Sequence, residues 1–179
     1  MASTKVKQSG EKTVQNIVIG VYSNGIQESQ GSYLNRALER FQKNFLRAHD
    51  RTNIVNVAFV YGDKMVYARD FSEYKKEEIL YLESCVEPPR LSHIWFMGMA
   101  LLERKVKQDL KDHVNSQNAF YLFTDKKFDR MESQKILAAA RFQEFDKNLY
   151  LIKTKDSAGG ALEQYIAAHG KVYMEDMEF

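Results

Sequence analysis

A chain of 179 residues with 44% hydrophobic content has the side chains for one domain with a sizeable core, which excludes disorder of the whole chain. The formal charge of +2, from 26 Lys and Arg against 24 Asp and Glu, gives little long-range attraction for nucleic acid and names no partner. No stretch approaches the roughly 18 to 20 continuous apolar residues that cross a bilayer, and Met1 to Asn16 lacks a signal peptide's apolar run, so the expectation is a soluble cytoplasmic protein without a membrane partner.

The single cysteine, Cys85, cannot close an internal disulfide, and no CxxC or Cys/His cluster offers zinc ligands, so an idle thiol is expected. The 10 Tyr and 11 Phe fall mostly inside periodic segments, as core residues do, rather than between Lys and Arg as on a base-stacking surface. That argues against nucleic acid as the partner.

Residues 1–15 are polar, without apolar periodicity, and read as a disordered tail ahead of one domain over 16–179. Ile17-Val18-Ile19-Gly20-Val21 is a nearly continuous β-branched run, the pattern of a central parallel strand buried on both faces. A polar loop, Ser23 to Ser32, leads into a helix in which Leu34, Leu38, Phe41 and Phe45 recur at steps of four, three and four, with Ser32 as a candidate N-cap. Ile54–Val60 and Lys64–Ala68 read as a hairpin turning at Gly62-Asp63, which implies one antiparallel edge strand. Ser72–Leu82 reads as a short helix, and Pro88-Pro89 breaks the chain before a longer one over Ser92–Lys107. Strand Ala119–Phe123, helix Glu132–Phe145, strand Leu149–Ile152, helix Ala161–His169 and strand Val172–Met174 follow, with Gly159-Gly160 as a turn before the last helix. Alternation of this kind predicts a doubly wound α/β fold: a mostly parallel six-stranded sheet with one antiparallel edge strand and helices on both faces. Its binding crevice lies beyond the carboxyl ends of the strands, beside the first, which points to the loops after Val21, near Ser92 and after Phe123.

The order of elements over about residues 16–174 resembles that of the von Willebrand factor A family. Phe120-Tyr121-Leu122-Phe123-Thr124-Asp125 looks like that family's fourth strand, which ends in Thr-Asp-Gly, with Lys126 in place of Gly. Ser92, ahead of Ile94-Trp95-Phe96-Met97-Gly98-Met99-Ala100-Leu101-Leu102, looks like the family's Thr before the long middle helix. Where the family's first strand ends in Asp-x-Ser-x-Ser, the natural register sets Tyr22, Asn24 and Ile26, and a one-residue shift gives Ser23, Gly25 and Gln27. Neither register supplies a carboxylate. The resemblance therefore implies a degenerate metal-ion-dependent adhesion site at Tyr22, Ser23, Asn24, Gly25, Ile26, Ser92, Asp125 and Lys126. Because Mg2+ wants near-octahedral oxygen ligands with one or two carboxylates, no cofactor is expected. The weaker alternative is Mg2+ held by Asp125, Ser92, Asn24 and Glu28, with Glu28 reaching back within its loop.

Other readings stay open at individual residues. Asp125 is either a remnant ligand or an acceptor for backbone N–H groups in its turn, the structural role being favoured. Lys126, Lys127 and Arg130 form either a solvated charge run or an anion-binding edge in which an ammonium stands where the family has its metal. The Ser23–Ser32 loop ahead of a helix has the outline of a phosphate cradle but lacks GxGxxG and GxxxxGK[ST] alike. Ser23, Asp125 and His93 make a triad on paper from three common residues, so no enzyme is expected. Trp95, Met97 and Met99 read as helix residues packing on the sheet. The leading expectation is a non-catalytic interaction module that binds another protein through its strand-end loops, within a larger intracellular assembly. The alternative is a nucleotide- or phosphate-binding domain using the Ser23–Ser32 loop.

Overall fold

The computed structural model describes residues 13–23, 33–47, 53–75, 77 and 87–174. Its strands are β1 (Thr13–Tyr22), β2 (Asn53–Asp63), β3 (Met65–Glu73), β4 (Ser116–Thr124), β5 (Asn148–Lys153) and β6 (Gly170–Met174). Its helices are α1 (Tyr33–Phe41, continuing in a widened π turn over Gln42–Leu46), α2 (Leu91–Lys111), α3 (Arg130–Ala140) and α4 (Gly160–His169). One sheet holds all six strands in the order β3-β2-β1-β4-β5-β6, parallel throughout except for β3. From β1 the chain steps to β2 and β3 on one side and then crosses to β4 on the other. The carboxyl ends of β1 and β4 therefore flank the switch point, and Tyr22 lies opposite Thr124.

The β1 run is buried from both sides, as its composition predicts. Ile17, Ile19 and Val21 face α1 together with Val57, Phe59 and Phe123, while Val18 faces α2 with Ala58, Phe120 and Leu122. Tyr22 shares the Val18 side, and this parity turns its ring inward. On α1 the four-three-four spacing places Leu34, Leu38 and Phe41 in the core, with the Phe41 ring 4.7 Å from Tyr121 and 5.5 Å from Phe123. Gly98 lets α2 lie close on the sheet, since a β-carbon there would run into the Phe120 ring. Trp95 and Met99 of α2 are buried on the sheet side, whereas Met97 points outward.

Several boundaries differ from expectation. β1 starts at Thr13, three residues ahead of Asn16, and residues 1–12 of the polar stretch lie outside the described residues. Ser72 and Glu73 do not begin a helix: they pair with Val57 and Asn56 as the end of β3. The charges that make this stretch look like a solvated helix, Arg69, Asp70 and Glu73, belong instead to an exposed edge strand, where charge discourages stray pairing. The remainder of the expected helix, apart from Tyr74, Lys75 and Glu77, lies outside the described residues, as do Ser32 and Cys85. The hairpin turns on Lys64 alone, at φ +64°, rather than on Gly62-Asp63. α3 ends at Ala140 rather than Phe145, leaving Phe142 72% exposed, and the Lys147 ammonium bonds the Gln143 and Phe145 carbonyls beyond it. The Gly159-Gly160 turn is present, both residues having positive φ.

Candidate functional site

Thr124 fastens the strand ends. Its hydroxyl donates to the Tyr22 carbonyl at 2.7 Å and accepts from the Lys126 N–H at 3.1 Å, and its own carbonyl accepts from the Ser157 hydroxyl at 3.2 Å. The backbone N–H of Ala158 donates to the Lys126 carbonyl at 2.7 Å, so the loops after β4 and β5 brace each other. The side chains of Asp125 and Lys126 thus start from a rigid base.

Two hydroxyl-carboxylate pairs stand on that base. Ser23 donates to Asp125 Oδ2 at 2.9 Å across the switch point. Ser92, in the first turn of α2, donates to Glu132 Oε1 and Oε2 at 3.0 and 3.1 Å, and both residues are buried, at 2% and 8% exposure. Lys135 adds an ion pair to Glu132 at 3.2 Å. Asp129 caps α3 by accepting the Glu132 N–H at 3.0 Å. Asp129-x-x-Glu132 has the spacing of a capping box, but the Glu132 side chain reaches across to α2 instead of back to its own helix.

Tyr22 lies between these groups at 6% exposure. Burial pushes its phenol above the usual tyrosine range, and the charges of Glu132 and then Asp129 push it in the same direction. The Lys126 ammonium sits over its ring, 4.9 Å from the centroid.

Of the residues expected at the site, Tyr22, Ser23, Asp125 and Lys126 come together at the ends of β1 and β4, and Ser92 stands nearby, bonded to Glu132. Asn24, Gly25, Ile26 and Glu28 lie outside the described residues. Glu132 was missed: it reads only as the beginning of a helix, and its partner is 40 positions away. The Asp129-x-x-Glu132 spacing is the signal that singles it out. The paper triad is not assembled, because Ser23 gives its proton directly to Asp125 with no imidazole between them, and His93 is exposed on α2. The phosphate-cradle reading falls on loop residues outside the described ones, except for Ser23, whose hydroxyl is already given to Asp125.

Tyr22, which the resemblance sets against the first ligand position, has its phenol pushed up by burial, and the Lys126 ammonium sits over its ring. Asp125 and Ser92 have separate partners, Ser23 and Glu132, and no three His, Cys, Asp or Glu among the described residues converge as metal ligands do.

The sheet order, its antiparallel edge and the crevice between β1 and β4 define a doubly wound α/β domain. Within that class its fold is like that of von Willebrand factor A proteins among solved structures. A von Willebrand factor type A protein from Catenulispora acidiphila matches over 92% of this chain and 38% of its own, with a TM-score of 0.62 at 12% identity. The ArnB paralog VWA2 from Sulfolobus acidocaldarius matches over 92% of this chain and 41% of its own, with a TM-score of 0.51 at 11% identity. The chain spans about two fifths of the length of these structures, and at such identity the likeness is one of fold. No family model and no curated protein matches the sequence. Among the described residues no helix is long and apolar enough to cross a membrane.

Proposed function

We propose that the chain is a non-catalytic protein-protein interaction module that works through the loops at the carboxyl ends of its strands, inside a larger intracellular assembly. Its metal-ion-dependent adhesion site is degenerate, and binding needs no Mg2+. The observation that carries this reading is the polar network of the crevice: Ser23 with Asp125, Ser92 with Glu132, and the Lys126 ammonium on Tyr22. These groups hold one another in place at the ends of β1 and β4. Doubly wound sheets bind their ligands beyond the carboxyl ends of the strands, through loops held on a rigid scaffold.

The test is a differential capture from cell extract, with partners identified by mass spectrometry. An Asn24→Ala/Asp125→Ala variant should lose partners that wild type retains, in chelator as well as in Mg2+. A Gln117→Ala/Asp146→Ala control, at the other end of the sheet in a shallow polar depression beside Asn148, should keep them. Retention of every partner by the strand-end variant would remove the crevice from consideration.

A further inference from the structure

One guanidinium on α1 is withdrawn from water without a partner in return. Nε and Nη2 of Arg40 are buried and have no acceptor among the described residues. These two nitrogens form the side of the guanidinium that grips a carboxylate or a phosphate through two parallel N–H donors. Arg47, just past the π turn of the same helix, also has a buried Nε without an acceptor. Burying a charge without a counter-charge is costly, so these donors need an acceptor that the described residues do not supply.

The surroundings of Arg40 select the sign of that acceptor. From Tyr33 to Arg47 the helix carries Arg36, Arg40, Lys43 and Arg47 against a single carboxylate, Glu39. Glu39 is taken by Lys43 at 2.8 Å. The core side chains packed with α1 on this face of the sheet are apolar or aromatic, among them Ile19, Val21, Tyr121 and Phe123, and none is a carboxylate. Arg36 stands one turn ahead of Arg40 within the regular part of α1, on the same stretch of helix surface.

We propose that Arg40 anchors a small-oxyanion site on the flank of α1, taking a phosphate or carboxylate group across Nε and Nη2 while Arg36 adds its attraction from one turn away. The Arg40 side chain as a whole is half-buried, and its flexible stem lets the fork swing out to the anion. Binding then replaces an unpaired burial with a charge-assisted bidentate pair. The site lies on a helix rather than among the strand-end groups, so it goes beyond the interaction reading and fails or stands separately from it.

Thermal melts and arginine side-chain NMR of the full chain test this, with sodium phosphate, sodium acetate and, at matched ionic strength, sodium chloride as probes. Phosphate should raise Tm and shift the Nε–H signal of Arg40, identified by its absence in Arg40→Lys, while chloride does neither. Acetate should act in the same way at higher concentration, because it carries less charge to a helix rich in cations. Arg40→Lys keeps the charge but not the fork, and should bind phosphate about tenfold more weakly. Arg40→Met removes the unpaired charge, so it should melt no lower than wild type in phosphate-free buffer and lose the response to phosphate. The proposal is overturned by a wild type that responds to neither oxyanion, by an Arg40 Nε–H signal that stays in place, or by equal responses in wild type and the Lys variant. A lower melt of Arg40→Met without phosphate would also overturn it, since the guanidinium would then already have its acceptor.

Discussion

The hydroxyl of Ser92 on α2 donates to both carboxylate oxygens of Glu132 on α3, tying the first turn of one helix to the first turn of the other at the edge of the crevice. Both ends of this tie are buried, so breaking it strands a polar group away from water. Glu132→Ala is expected to cost about 1–3 kcal/mol, because it leaves the Ser92 hydroxyl without its acceptor. Ser92→Ala should cost about 1 kcal/mol, since Lys135 still holds the carboxylate. Urea unfolding of the two single variants and the double would show the double costing less than the sum, as coupled partners do.

Tyr22 and Tyr121 supply a second expectation. Burial raises the phenols of both above the ordinary value near 10, with neighbouring carboxylates adding to the effect at Tyr22 and neighbouring tyrosines at Tyr121. Above about pH 10 the unfolded chain gives up these protons while the folded chain keeps them, so the unfolded state binds fewer and stability falls as pH rises. Alkaline titration followed by tyrosinate absorbance should leave part of the signal of the 10 tyrosines unreleased until the chain unfolds. Tyr22→Phe should shrink that late portion.

At the opposite end of the sheet, Asn16 is fully buried and in register with Asn56 and Asn118 on the neighbouring strands. Its amide donates to Asp109 at 2.7 Å and to Asn118 at 2.8 Å, and its carbonyl accepts from Asn56 at 3.1 Å. Lys105 pairs with Asp109 at 3.1 Å. Asn16→Leu leaves several of these groups unsatisfied at once and should destabilise by about 2–4 kcal/mol in chemical denaturation, more than the loss of one bond.

The indole of Trp95 packs on Phe120 at 5.1 Å, yet among the described residues its buried Nε1–H has no acceptor. Trp95→Phe gives up apolar area but removes the orphaned donor, so the net change should stay within about 1 kcal/mol. Trp95→Ala should cost about 3–5 kcal/mol, as large core truncations do. A thermal melt distinguishes the two.

The fold was legible where burial alone writes the pattern. The β-branched run of β1, the helical spacing of Leu34, Leu38 and Phe41, and the apolar β4 each carry their environment in their own composition. The sequence pattern stops short of the end of β3 because Arg69, Asp70 and Glu73 face solvent on an edge, and a polar strand there has the composition of a helix surface. The sequence pattern overruns α3 because Phe142 and Phe145 continue the apolar rhythm, although Phe142 ends outside the core. At the site, Ser92 and Asp125 were visible as local signatures, but Glu132 was not, since its meaning depends on a partner brought near only by folding. The seating of Lys126 on Tyr22 is likewise a product of the β1–β4 register, which no local pattern spells out.

The central claim, that the strand-end crevice recruits protein without a metal, is tested most directly by photo-crosslinking in living cells. A benzophenone amino acid placed at Lys127, beside the crevice, should capture one partner polypeptide, with the same yield in chelator as in Mg2+. The same probe at Leu110, exposed in the last turn of α2, should not capture it. Capture at Leu110 but not at Lys127, or capture at Lys127 that disappears in chelator, would contradict the account.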